Sequence, residues 1–171
     1  MRSLLYYPVR VNLNFTCFVL FAILCIPFSS AGQKKYSLNA ILSIKAINKT
    51  FVSKSKDDTT WRTYLGSIKD DKHRTIYYII KEFNKIQAAV TWHGHSNVYF
   101  FNAYKKVVAR VDVGLPENLP VQLENNTIYF PDDKNTGQVS GVKISRSLPK
   151  AICIRPDWCE EVIFYLHRPY K

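Results

Sequence analysis

The sequence predicts an α+β fold: an antiparallel β-meander of about five to six strands with one or two N-terminal helices packed on one face. Three observations predict it. Apolar residues recur at helical spacing in the first half of the chain. From residue 98 onward they alternate with period two. Clusters of Pro, Asn, Asp and Gly punctuate that second half at short intervals.

The first segment stands outside the domain. Arg2 and Arg10 precede an apolar run over 15–28, followed by Ser29-Ser30-Ala31-Gly32 and then Gln33-Lys34-Lys35. A basic start, an apolar run and small residues at the −3 and −1 positions form the pattern of a secretory signal peptide. Ser29/Ala31 and Ser30/Gly32 both satisfy it, so residues 1–32 are expected to be cleaved and the mature chain to begin at Gly32 or Gln33. The apolar run is shorter than the roughly 20 residues of a spanning helix. Leu24 before Cys25 argues against lipid attachment there, because that cysteine normally follows a small residue.

Residues 33–171 are then expected to form a single small α+β domain. Leu38, Ile41, Leu42, Ile44, Ile47 and Phe51 partly fit one helix face. Asp58 or Thr59 can cap a short helix carrying Trp61, Tyr64 and Leu65, with Gly66 as its end. The strongest helical pattern runs over 72–87, capped by Asp70 or Asp71. It carries Ile76, Ile79, Ile80, Phe83, Ile86 and Val90 at helical spacing, with Lys81, Glu82 and Lys85 opposite. A competing reading makes 75–80, TIYYII, a strand, since it is β-branched and aromatic. The continued period through Ile86 favours the helix.

Then the period changes. Val98, Phe100 and Asn102 alternate with Tyr99, Phe101 and Ala103. After a turn at 102–105, Val107, Ala109, Val111 and Val113 lie opposite Val108, Arg110 and Asp112. This is a β-hairpin with one buried face. The segment 115–120 breaks it. Short strands are expected at 122–123, 127–130 and 138–145, separated by turns at 124–126 and 131–137. Residues 151–155 and 162–167 supply the last two strands.

The chain of 171 residues carries a formal charge of +11; setting aside the 32-residue leader with its two arginines leaves 139 residues and +9. A high content of Tyr, Phe, Val and Ile argues against disorder. The basic groups are scattered, with density only at Lys34-Lys35, Lys54/Lys56 and Lys72-His73-Arg74, so no specific nucleic-acid partner is expected. No later apolar stretch is long enough to span a membrane.

With Cys17 and Cys25 removed in the leader, Cys153 and Cys159 remain. An even, closely spaced pair in an exported domain is read as a disulfide. Its seven-residue loop is worth about 2 kcal/mol in the chain-entropy account. Two glycosylation acceptor sequences lie in the mature chain, at Asn48 and Asn125.

Chemistry-bearing motifs are few. In Trp92-His93-Gly94-His95 the two histidines point the same way on an extended segment. A metal site would need a third ligand, for instance His73 or His167, and no metal or cofactor is expected. His93 and His95 could instead serve as acid and base in RNA cleavage, with Lys or Arg stabilising phosphate charge. No G-x-S-x-G or phosphate-cradling glycine loop occurs. The acidic pairs at 57–58, 70–71, 132–133 and 160–161 sit beside turns or caps and read as solvated.

The most distinctive feature is Cys153-Ile-Arg-Pro-Asp-Trp-Cys159. A staple there would hold Arg155, Asp157 and Trp158 at a hairpin tip, and Trp and Arg often dominate binding interfaces. Pre-ordering lowers the cost of docking. The loop resembles the short disulfide loop of periplasmic lysozyme inhibitors, which also holds Pro and Asp between two Cys. The likeness covers seven residues, and the cysteine spacing differs. The expectation is therefore an exported (secreted or periplasmic) non-enzymatic protein-binding module, an inhibitor or immunity-type partner of a secreted hydrolase. Its partner would be another exported or envelope protein. The alternative is a secreted hydrolase or ribonuclease using His93 and His95.

Overall fold

The computed structural model describes residues 36–131 and 140–165. The chain divides after Gly32 into two units. All described residues belong to the second, and the signal-peptide expectation for 1–32 lies outside them.

The described chain is mostly antiparallel β-sheet. One short α-helix, α1 (Leu38–Ile44), precedes β1 (Thr50–Lys54), β2 (Asp58–Lys69), β3 (Thr75–Ala88), β4 (Thr91–Asn102) and β5 (Val107–Gly114). A 3-10 turn (Pro116–Asn118) leads to β6 (Gln122–Glu124), β7 (Thr127–Tyr129) and β8 (Gly141–Lys143). Then come β9 (Ala151–Arg155), β10 (Trp158–Glu161) and β11 (Ile163–Phe164). The main sheet has the order β1-β2-β3-β4-β5-β11. A three-stranded sheet, β6-β7-β8, and the β9-β10 hairpin complete the fold. No helix among the described residues is long and apolar enough to cross a membrane.

The main sheet is covered on both faces over part of its length. On one face, Ile79, Val98, Phe100 and Val111 pack with Ile128 and Ile144 of the small-sheet region and Ile152 and Ile154 of β9. On the other, Ile41 and Leu42 of α1 pack on Phe51, Tyr64, Ile80 and Phe101. Helix α1 begins where Ser37 accepts a hydrogen bond from the Ala40 amide. It ends where Lys45 turns left-handed at φ 51°.

This corrects the α+β expectation with one or two helices laid on a meander. Among the described residues only seven form an α-helix. The segment read as a short helix around Trp61 is β2, and the segment read as the main helix over 72–87 is β3. The reason is local and tertiary together. In β3, Ile79 enters one core and Ile80 the other. A strand buried on both faces shows a continuous apolar run, and the more distal Phe83 and Ile86 made that run look helical. Asp70 does bind backbone amides, but as the head of the β2–β3 turn. Its Oδ1 accepts from Lys72 N and Arg74 N, each at 2.9 Å. Gly66 is not a helix end. It sits at φ 138° at a β-bulge between the Tyr64–Ile80 and Gly66–Ile79 pairs, a backbone conformation that favours glycine.

The hairpin read at 98–113 is present as β4 and β5, with Ala109, Val111 and Val113 fully buried. Its turn is fixed by Asn102, whose Oδ1 accepts from Tyr104 N and Lys106 N. The turn expected over 131–137 lies outside the described residues apart from Pro131.

Candidate functional site

Strands β2, β3 and β4 run on past the core as an arm, with β1 paired beside β2 from Thr59 to Thr63. The pairing carries it to the end: Thr60 opposes Asn84, which opposes His95, and Ile86 opposes His93. Side chains alternate across its two faces.

One face is aromatic and basic. Trp61 on β2 is in register with Phe83 on β3, their rings stacked with centroids 5.2 Å apart and planes 20° apart. Gly94 on β4 leaves room for that ring. A Cβ at Gly94 would lie 2.9 Å from Phe83 Cε2. One step further out, Lys85 Nζ lies 4.8 Å from the centroid of the Trp92 ring, a cation–π contact. Trp92 is 47% exposed. Toward the core, Lys81 Nζ donates to Pro120 O at 2.8 Å, and burial lowers its pKa. None of the residues that the three strands place on this face from Thr59 to Ser96 is acidic.

The opposite face is polar. His93 and His95 do share it, as the extended segment predicts, and both are exposed. His93 Nε2 lies 3.1 Å from Thr91 Oγ1. The residues directly opposite the pair are Ile86 and Asn84, and Asp58, one strand further along the His93 row, accepts a hydrogen bond from Thr60 Oγ1. His73 stands in the turn at the far end of the β2–β3 hairpin, and His167 lies outside the described residues. Among the described residues no three His, Cys, Asp or Glu side chains gather as a metal set.

Nearer the core on this face is a buried ion pair. Glu82, 6% exposed, accepts from Arg62 Nε at 2.6 Å and from Tyr99 OH at 3.3 Å. Arg62 Nη1 donates onward to Tyr36 O. Burial, reinforced by the Glu82 carboxylate, pushes Tyr99 up to about 12. Arg62 and Glu82 hold each other, which marks the group as a brace between β2, β3 and β4; Arg110, opposite Tyr99 on β5, buries its Nε without a hydrogen-bond partner among the described residues.

The stapled loop is the β9–β10 hairpin, and Cys153 and Cys159 form its disulfide. Its side chains are partly absorbed by the fold. The Trp158 ring packs against the core cluster and lies over Gly114. Its Nε1 donates to Glu160 Oε1. Arg155 Nη2 donates to Asn118 Oδ1 at 3.2 Å, and its guanidinium stands 5.7 Å from the Trp158 ring. Pro156 and Asp157 are the fully exposed residues of the tip.

Trp61, Phe83, Lys85 and Trp92 were missed as a group by sequence reasoning. The available signal was the strand alternative at 75–80. Extended by period two, it places Phe83 and Lys85 on one side. No protein-family model matches the chain, and the searches of curated proteins and of solved structures gave no match.

Proposed function

We propose that this protein is an exported, non-enzymatic module that binds another exported protein, with the aromatic and lysine-bearing face of the arm as its contact surface. The leader pattern and the Cys153–Cys159 disulfide support export, since disulfides persist in oxidising compartments. The observation that carries the binding reading is the Trp61–Phe83–Lys85–Trp92 face, left open and free of carboxylates. Exposed aromatic groups beside unpaired positive charge favour an acidic partner surface with an apolar centre. The β9–β10 tip is a secondary contact, limited to Pro156 and Asp157.

The test is affinity capture from the exported fraction of the source, run with four oxidised proteins. These are wild type, Lys85→Ala/Trp92→Ala, Pro156→Ala/Asp157→Ala and His93→Ala/His95→Ala. One protein held by wild type and by the histidine variant, lost by the arm variant and released by salt, is the expected result. Loss confined to the tip variant returns the binding role to the stapled loop. Equal retention by all four removes the arm from consideration. Nuclease or hydrolase turnover abolished in the histidine variant would establish the enzymatic alternative.

A further inference from the structure

Both acceptor sequences of the domain, Asn48-Lys49-Thr50 and Asn125-Asn126-Thr127, fall on exposed turns. Asn48 has φ 58° and links α1 to β1; Asn125 has φ 49° and heads the two-residue β6–β7 turn. Asparagine tolerates this left-handed region better than most residues, so turn geometry alone explains an Asn at each place. Their side chains are left unengaged, as is that of the exposed Asn39, while four other asparagines are tied into the fold. Asn84, Asn102, Asn118 and Asn126 each engage their side chains in internal hydrogen bonds. Asn126 adjoins Asn125 with a similar backbone, yet its amide bonds to both Lys69 O and Lys69 N. The side-chain amides of Asn48 and Asn125 make no hydrogen bond to any described residue, and both residues are exposed.

We propose that Asn48 and Asn125 are N-glycosylation sites, a reading that rests on export through a lumen where such transfer occurs. In that transfer the Asn side-chain nitrogen forms a bond to the anomeric carbon of a lipid-diphosphate-linked oligosaccharide. The carbon–oxygen bond to the diphosphate breaks, the lipid diphosphate leaves with the electron pair, and the nitrogen gives up one proton.

The surroundings suit a glycan. Asn125 lines a depression of about 570 Å³ together with Ile47, Leu65 and Leu123. Ile47 is 63% exposed, an apolar surface that the first sugar rings can cover. Asn48 follows Ile47 directly, but its backbone lies beside Tyr64 midway along β2, whereas Asn125 stands next to Asn126 at the Lys69 end. The aromatic arm lies at the other end of β2. Trp61 and Lys69 are eight residues apart, roughly 26 Å along an extended strand. A glycan at Asn125 therefore leaves the arm free, while one at Asn48 starts beside Tyr64, three residues from Trp61 along β2.

The two sites differ in one respect. Thr50 Oγ1 lies 2.8 Å from Thr63 Oγ1, a cross-strand bond of β1 and β2. The enzyme must read the Thr50 hydroxyl before that pairing forms. Thr127 has no such engagement, so Asn125 is the fuller site.

The experiment expresses the full chain in insect cells, with a C-terminal tag carrying an independent acceptor sequence as a reporter of lumenal entry. Mass is read before and after peptide N-glycosidase treatment for wild type, Asn48→Gln, Asn125→Gln and the double variant. The expected result is one mass step lost with each substitution, both lost in the double variant, and higher occupancy at Asn125. A glycosylated reporter with neither step present overturns the proposal and leaves export standing. An unglycosylated reporter overturns the proposal together with the export reading.

Discussion

Glu82→Gln tests whether the brace between β2, β3 and β4 holds the arm to the core. The substitution keeps the volume and removes the charge. Arg62, whose side chain is only 17% exposed, then loses its carboxylate at 2.6 Å. Breaking a buried pair from one side costs about 3–5 kcal/mol, because the remaining charge is left uncompensated. Partial access of water to Arg62 places the expectation at the low end, about 3 kcal/mol. For a domain of this size that is a fall of about 10 °C in Tm. Thermal and urea denaturation at neutral pH, followed by far-ultraviolet circular dichroism, give both quantities. Arg62→Met/Glu82→Gln removes both charges and should be more stable than Glu82→Gln alone. The reasoning is refuted if Glu82→Gln costs less than about 0.5 kcal/mol, or if the double variant loses the sum of the two single losses, since a true pair is non-additive.

Three further outcomes follow from the same geometry. Cys153→Ser/Cys159→Ser should lower stability by about 2 kcal/mol through the freed seven-residue loop, and a reductant should reproduce the shift in wild type but not in the variant. Gly94→Ala should displace the Phe83 ring, since the added carbon meets it at 2.9 Å. The stability cost is about 1 kcal/mol, the scale of a small overpacking change, and the sign to look for is a changed near-ultraviolet dichroism of the Trp61–Phe83 stack. Tyr99 gives a pH dependence. Its folded value of about 12 lies above the usual 10, mainly through burial. The neutral phenol is thus favoured by folding, its contribution is complete below pH 10, and stability falls as pH rises from 10 toward 12. Tyr99→Phe should lack that alkaline loss, which after allowance for solvent screening amounts to about 1–2 kcal/mol.

Legibility followed how many faces of a strand are covered. In β5, Ala109, Val111 and Val113 share one buried face while Arg110 and Asp112 point away. A one-sided strand writes period two into the sequence, and the hairpin could be read. In β3, Ile79 and Ile80 serve different cores, so period two is erased where the strand is most buried. The local polar signals were equally ambiguous. Asp70 collects the amides of residues two and four ahead in its turn, the same acceptor chemistry by which an aspartate caps a helix. The disulfide was legible because its two cysteines are close in sequence. The resting place of Trp158 was not, since it depends on Gly114, forty-four positions away. The arm face needed three strands in register before its residues became neighbours.

The arm itself is the strongest argument that the surface has a use. A sheet gains stability by burying at least one face, and β2, β3 and β4 continue beyond the point where any layer covers them. Folding alone is served by strands that end at Phe83 and Ser96. The extension leaves Trp92 and Val90 in water, which costs solubility and returns no core. Yet its face is ordered: Trp61 stacks on Phe83, Phe83 rests over a glycine, and Lys85 stands on Trp92. Other exposed parts of the same sheet are handled differently. The outer strand β1 is five residues long and ends in Lys54, and β11 at the opposite edge has two residues, both means of blunting an edge. The arm presents a face and, over 91–95 of β4, one short edge with no partner strand among the described residues. Docking by side chains should protect Trp92 from fluorescence quenching while leaving the backbone amides of β1 and of 91–95 exchanging as before. Protection of the β1 amides with Trp92 still quenched would assign the docking to the edge and the arm to another role.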